Sequence, residues 1–132
     1  MEKILALVMA GGKGTRLYPL TARHAKPALH FAQGYRIVDF VLSNLVNSGI
    51  SDIYVLAQYQ PQSLLEYLDR AWVSNFGGND CFVTTLMPGE GGLFSGTADA
   101  VYQNLHLIER HQPDLFGKYR ANQTDYRGCY AR

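Results

Sequence analysis

Leu7-Val8-Met9-Ala10-Gly11-Gly12-Lys13-Gly14-Thr15-Arg16-Leu17-Tyr18-Pro19-Leu20-Thr21, followed closely by Lys26-Pro27, is the stretch on which the fold turns. The apolar run Ile4 to Met9 reads as a buried first strand. It ends in Gly11, Gly12 and Gly14, residues that allow backbone conformations closed to other side chains and let backbone N–H groups approach an anion. Lys13 and Arg16 lie within the turn and Lys26 soon after it, so strand, glycine turn and cations together suit a polyphosphate. The spacing excludes the two commonest glycine loops. A Walker A loop needs Gly-x-x-x-x-Gly-Lys-Ser/Thr. The dinucleotide fingerprint needs a small residue where Leu17 stands and a helix where Pro19 follows. A glycine-rich turn with surface lysines is the plain alternative, and Arg16 with the two proline segments weighs against it.

Outward from this turn, strand and helix patterns alternate. Gly11 to Gly34 reads as one long irregular stretch, a length that favours a functional loop. Tyr35 to Asn47 reads as a helix, with Ile37, Val41 and Leu45 on one face and Gly49 ending it. Asp52 to Ala57 reads as a second strand. Pro61 opens a helix that buries Leu64, Leu65 and Leu68, with Trp72 packing in or near the core. Cys81 to Leu86 is the third strand, and Met87 to Ser95 is a loop. Thr97 then caps a single helix whose inner side is Val101, Leu105 and Ile108. His106 and His111, without a partner cluster, are expected on the surface. This alternation predicts an α/β fold, a doubly wound, mostly parallel sheet of the Rossmann-like kind. Ligands of such sheets bind beyond the carboxyl ends of the strands, where the glycine loop, Gln58 and the Met87–Ser95 loop all fall.

Composition narrows the function classes. A chain of 132 residues supports one modest core, and a net charge of +1 gives no bulk electrostatic reason to expect nucleic acid or a membrane surface as partner. No apolar run reaches the ~20 residues that span a bilayer. The first strand begins almost at once, leaving no room for a signal peptide. Cys81 and Cys129 have no metal-ligand spacing, and a cytoplasmic location is expected.

The Gly11–Thr21 segment with Lys26-Pro27-Ala28 resembles the signature of the sugar-nucleotide pyrophosphorylases. Tyr35 to Asn44, Asn47-Ser48-Gly49-Ile50 and Gly96 to Asn104 narrow the resemblance to the glucose-1-phosphate adenylyltransferases, and it extends from about Lys3 to Pro113. The resemblance implies ATP and glucose 1-phosphate as substrates, ADP-glucose and pyrophosphate as products, Mg²⁺ as cofactor and a role in glycogen or starch synthesis. It implies a homotetramer for full-length members. Ala10, Gly11, Gly12, Gly14 and Thr15 would wrap the triphosphate. Arg16 would stabilise charge at the transferred phosphorus, its planar fork gripping two oxygens, with a surface salt bridge as the alternative. Lys26, held extended before Pro27, would also meet the phosphates. Gln58 would bond the adenine edge and Gly96 and Thr97 would lie beside base and sugar. Phe94 falls where the family places a tyrosine that touches the sugar phosphate. Arg23, His24, His30 and Arg36 match a basic site for regulatory anions, with a solvated basic loop as the alternative.

Two departures bear on activity. Phe94 lacks the family's hydroxyl, and Met87-Pro88-Gly89-Glu90-Gly91-Gly92 replaces a glutamine-rich segment, which relaxes adenine selection. After Pro113 the alternation calls for another apolar strand, yet Asp114 to Arg132 contains no apolar run. In the family a buried strand there ends in a Gly-Asp-His type motif whose Asp holds the metal. The expectation is therefore that residues 1–113 form the family fold and 114–132 a tail outside it, as truncation or an altered reading frame would produce. Asp99, in the first turn of a helix, reads as structural, Asp125 lies in a polar stretch with no strand to hold it rigidly, and no metal ligand is assigned. The chain alone is expected not to catalyse. The readings left open are an incomplete adenylyltransferase, another sugar-nucleotide pyrophosphorylase, and a non-catalytic or regulatory nucleotide-binding relative.

Overall fold

The computed structural model describes residues 3–74, 82–89, 92–120 and 129–131. Its centre is β1 (Ile4–Met9), flanked by β4 (Asp52–Leu56) and β6 (Leu115–Arg120), with β5 (Phe82–Leu86) beyond β4 and β7 (Cys129–Ala131) beyond β6. β1, β4, β5 and β6 run parallel, and only β7 is antiparallel. This is the α/β, mostly parallel sheet that the alternation predicts.

The unbroken apolar run of β1 follows from burial on both faces. Ala6 and Val8 point into a core with Val38, Leu42 and Leu45 of α1 (Ile37–Asn47) and Leu64 and Leu68 of α2 (Gln62–Leu68). Leu5 and Leu7 point the other way, into a core with Tyr54, Leu56, Phe94, Ala100, Leu107 and Ile108. Ala100 belongs to α3 (Thr97–Gln103), Leu107 and Ile108 to α4 (Leu105–His111). Each fully buried leucine contributes roughly 2 kcal/mol of transfer free energy. Trp72, 7% exposed, lies in the first core, on a wide turn at Asp69–Val73.

Several local expectations are corrected. Tyr35–Arg36 is not helical. It forms β3, antiparallel to β2 (His30–Ala32), and helix α1 starts at Ile37. Asp39 sets that boundary, because its carboxylate accepts the Arg36 backbone N–H at 2.6 Å while Arg36 is extended. The Gly11–Gly34 stretch is only partly irregular, since it holds short 3-10 turns at Thr15–Leu17 and Lys26–Ala28 as well as β2. Lys26 opens its turn, and the extended residue before it is Ala25. Gly96 rather than Thr97 takes the N-cap position, at φ 156°, a conformation that favours glycine. The single helix after it is two, parted at Asn104, which is buried and donates its side-chain amide to the Ala100 carbonyl at 2.8 Å. The break turns Leu105 outward (41% exposed) and Leu107 inward.

His111 is not a bare surface residue. Its Nε2 lies 2.8 Å from the Tyr54 hydroxyl, its Nδ1 lies 3.6 Å from Asp52, and its ring stacks on Phe82 with centroids 5.7 Å apart. The last residue of α4 thus meets the first residues of β4 and β5. The expectation that no strand follows Asp114 is overturned as well. Leu115 to Arg120 pairs in parallel with Ile4 to Met9 along the free side of β1. Backbone pairing is indifferent to side-chain polarity, so an apolar run was not required. Cys81, Asp125 and the rest of 121–128 lie outside the described residues. No helix among the described residues is long and apolar enough to cross a membrane.

Candidate functional site

The carboxyl ends of β1, β4 and β5 are level with one another, tied by Ala10 N–H to Leu56 O at 2.8 Å and Ala57 N–H to Leu86 O at 2.9 Å. The segments leaving them surround an open cleft of about 320 Å³ lined by Met9, Gly11, Gly12, Gln58, Phe94, Gly96, Thr97 and Ala100. Glycine, glutamine and threonine supply polar groups, while Met9, Phe94 and Ala100 supply an apolar wall for a planar base or a sugar face.

Gln58 is the keystone of the cleft. Its Nε2 donates to the Gly11 carbonyl at 3.0 Å and its Oε1 accepts the Phe94 backbone N–H at 2.8 Å. A Cβ at Gly11 would come within 2.8 Å of the Gln58 side chain, so the glycine permits this close approach. A carboxamide has two donor hydrogens and two acceptor lone pairs, which leaves one of each for a ligand.

The loop that begins at Gly11 is folded back on itself at Gly14, whose φ is +63°, and the Gly14 carbonyl accepts the Thr21 hydroxyl at 2.8 Å. Thr21 is 8% exposed. A Cβ at Gly14 would lie 2.8 Å from Thr21 Cγ2 and 3.2 Å from Lys26 Cβ. The glycine loop and the Lys26 turn are therefore packed together, and the motif residues from Gly11 to Lys26 form one unit. Thr15 and Arg16 are exposed on their 3-10 turn, and the surface-salt-bridge alternative for Arg16 finds no acidic partner among the described residues. Lys13 rests over the Tyr59 ring, its Nζ 5.1 Å from the centroid. Ala10 is buried behind the loop.

Phe94 is 8% exposed, belongs to the second core, lines the cleft and carries no hydroxyl. Thr97 and Gly96 border the cleft as the first turn of α3. Asp99 is occupied by the Ser95 N–H at 2.8 Å and the Gln103 side-chain amide at 2.8 Å. Among the described residues no three His, Cys, Asp or Glu side chains gather in a way that could hold a metal ion.

The basic residues matched to a regulatory site are not all brought together. Arg23 and His24 are exposed on the bend after the glycine loop, and His30 pairs across the short hairpin with Arg36. The Arg36 guanidinium faces inward, over the Tyr67 ring and towards the carbonyls of Ala28 and Ser63. Sequence reading missed Met9, Ala100 and Thr21 as parts of the cleft and its loop. Met9 was accessible as the last residue of a strand at its carboxyl end. Thr21 carried no signal beyond its place in the motif.

A family model described as Nucleotidyl transferase matches residues 5–121. The chain is 50% identical to a glucose-1-phosphate adenylyltransferase of Thermodesulfovibrio yellowstonii, over 96% of this chain and 32% of that protein. It is 51% identical to one from Thermus thermophilus, over 84% of this chain and 28% of that protein. For one from Hydrogenovibrio crunogenus the identity is 52%, over 86% and 28%. The chain spans less than a third of the length of these curated relatives.

Proposed function

The chain belongs to the nucleotidyl transferase family, and from that premise we propose that it carries the nucleotide-binding part of a glucose-1-phosphate adenylyltransferase. In the reaction an oxygen of glucose 1-phosphate forms a bond to the α-phosphorus of ATP. The bond from that phosphorus to the bridging oxygen breaks, pyrophosphate leaves, and ADP-glucose remains. Both reactants are anions, so the site must hold them in line and offset negative charge as the bond changes hands.

The observation that carries the reading is the single packed unit formed by Gly11 to Lys26 at the carboxyl ends of parallel strands, next to a cleft with an apolar wall. Backbone N–H groups from Gly11 to Thr15 receive the triphosphate. Arg16 and Lys26 supply positive charge beside it. The free donor and acceptor of Gln58 read the adenine edge, and Gly96 and Thr97 border base and ribose. Phe94 packs against the sugar without bonding its phosphate. Mg²⁺, which the resemblance implies, is assigned no side chain among the described residues. Arg23, His24 and His30 remain the anion-binding candidates outside the cleft. Arg36 is bound inward and fits that role poorly.

Isothermal titration with ATP tests the binding half. The wild-type chain should bind, ATP should outcompete UTP and GTP modestly, and Arg16→Ala should weaken binding by at least tenfold, about 1.4 kcal/mol, with unchanged circular dichroism. Unaltered affinity in Arg16→Ala sinks the assignment of that residue, and equal competition by all three nucleotides moves the reading to another sugar-nucleotide pyrophosphorylase. Pyrophosphate release with glucose 1-phosphate and Mg²⁺ then separates a catalytic chain from one that binds without turnover.

A further inference from the structure

The cleft does not account for a buried carboxylate beneath the Lys26 turn. Asp39 is 6% exposed and accepts from three donors: the Arg36 backbone N–H at 2.6 Å, the Tyr67 hydroxyl at 2.6 Å and the Trp72 indole N–H at 2.7 Å. These come from β3, α2 and the turn after α2, so one carboxylate joins three segments. Arg36 continues the connection. Its guanidinium carbon lies 4.2 Å from the Tyr67 ring centroid, and its Nη1 donates to the Ala28 carbonyl at 3.1 Å and the Ser63 carbonyl at 3.4 Å. Ala28 closes the turn that Lys26 opens, and Lys26 Cβ occupies the side of Gly14 where a side chain would stand, 3.2 Å from the position of a Cβ there.

We propose that Arg36, braced by Asp39, is a positioning residue that holds the Lys26 turn against the glycine loop and so aims the Lys26 ammonium at the nucleotide phosphates. The inference rests on the reading of Lys26 as a phosphate ligand. A lysine has a long, freely rotating stem, so its reach is set by where its backbone is anchored. A stacked guanidinium is a rigid anchor because the ring restricts its face and the carbonyls its plane. An ammonium at the same place has neither the plane nor the fork.

Two measurements on the full chain test this. The first is amide hydrogen exchange without nucleotide. In Arg36→Met, the Ala28 and Leu29 amides, bonded to Ala25 O and Lys26 O, should lose about tenfold of protection while Leu42 and Leu45 in α1 keep theirs. Arg36→Lys, which keeps charge and most of the stem, should show the same local loss. Unchanged protection of Ala28 and Leu29 in both variants overturns the brace, whether or not ATP binds. Loss spread evenly over α1 as well in both variants overturns it too. The second is a double-mutant cycle on ATP affinity. Arg36→Met and Lys26→Ala should each weaken binding about tenfold, and the double variant no further than Lys26→Ala alone. Additive losses mean that Arg36 acts on the nucleotide independently of Lys26 and overturn the positioning role. If the wild-type chain binds no ATP, the functional reading falls and with it the aim of Lys26. The exchange arm then still decides whether Arg36 braces the turn.

Discussion

Asp39 shows how far a single side chain depends on its surroundings. A carboxylate on the inner face of a helix is costly unless its lone pairs are met, and here three donors meet them. Asp39→Ala should destabilise the fold by about 3 kcal/mol in urea unfolding, since it leaves those donors without their acceptor. A loss below about 1 kcal/mol would show that water replaces the carboxylate. Tyr67 carries the same network into a pH dependence. Burial first, then the hydrogen bond and charge of Asp39, push its phenol up to about 12, against the opposing pull of Arg36 and Arg70. Because the folded value lies above the ordinary 10.0, the contribution is complete below pH 10 and is lost as pH rises towards 12. Wild type should therefore lose more of its urea resistance than Tyr67→Phe between about pH 9 and about pH 11. Parallel losses in the two proteins would place the ionisation elsewhere. In the sequence Asp39 stood out only as one residue of the Tyr35 to Asn44 stretch. Its partners lie up to 33 positions away in sequence.

At the scale of the element, the glycine loop was legible in type and wrong in detail. Gly14 alone of the loop's glycines combines a positive φ with a Cβ site already occupied. Gly14→Ala should cost about 1–2 kcal/mol from the left-handed conformation alone, with more from displacing Thr21 and Lys26, and should weaken ATP binding with it. Gly12→Ala meets nothing within 4 Å and should leave the urea midpoint nearly unchanged. Similar midpoints for the two variants would mean the turn does not need its observed backbone. The helix boundaries failed for a different reason. Thr97 was a reasonable cap by type, but the chain enters α3 through a conformation suited to Gly96. Asn104 broke the next helix because its side chain competes for the Ala100 carbonyl, a local alternative that apolar periodicity does not record.

The whole molecule joins two cores through β1, and β1 is complete only when both its neighbours are present. Shortening the chain to residues 1–113 removes β6 and leaves one side of β1 unpaired. The shortened chain should self-associate in sedimentation velocity and unfold at lower urea, whereas a monomer with an unchanged midpoint would show that β6 adds nothing to the sheet. From the residues alone came the parallel α/β sheet, the glycine turn after its first strand and the end of the sheet where the cleft opens. Those features are written in local patterns: an unbroken apolar run, clustered glycines, and four-residue apolar spacing. Three things were decided only in the folded chain: the brace from Asp39 through Arg36 to the Lys26 turn, the seat of His111 between Asp52, Tyr54 and Phe82, and β6. The first two depend on side chains far apart in sequence, which no local period can pair. β6 depends on the vacant backbone edge of β1, whose N–H and C=O groups need partners but place no demand on the side chains that Leu115 to Arg120 carry.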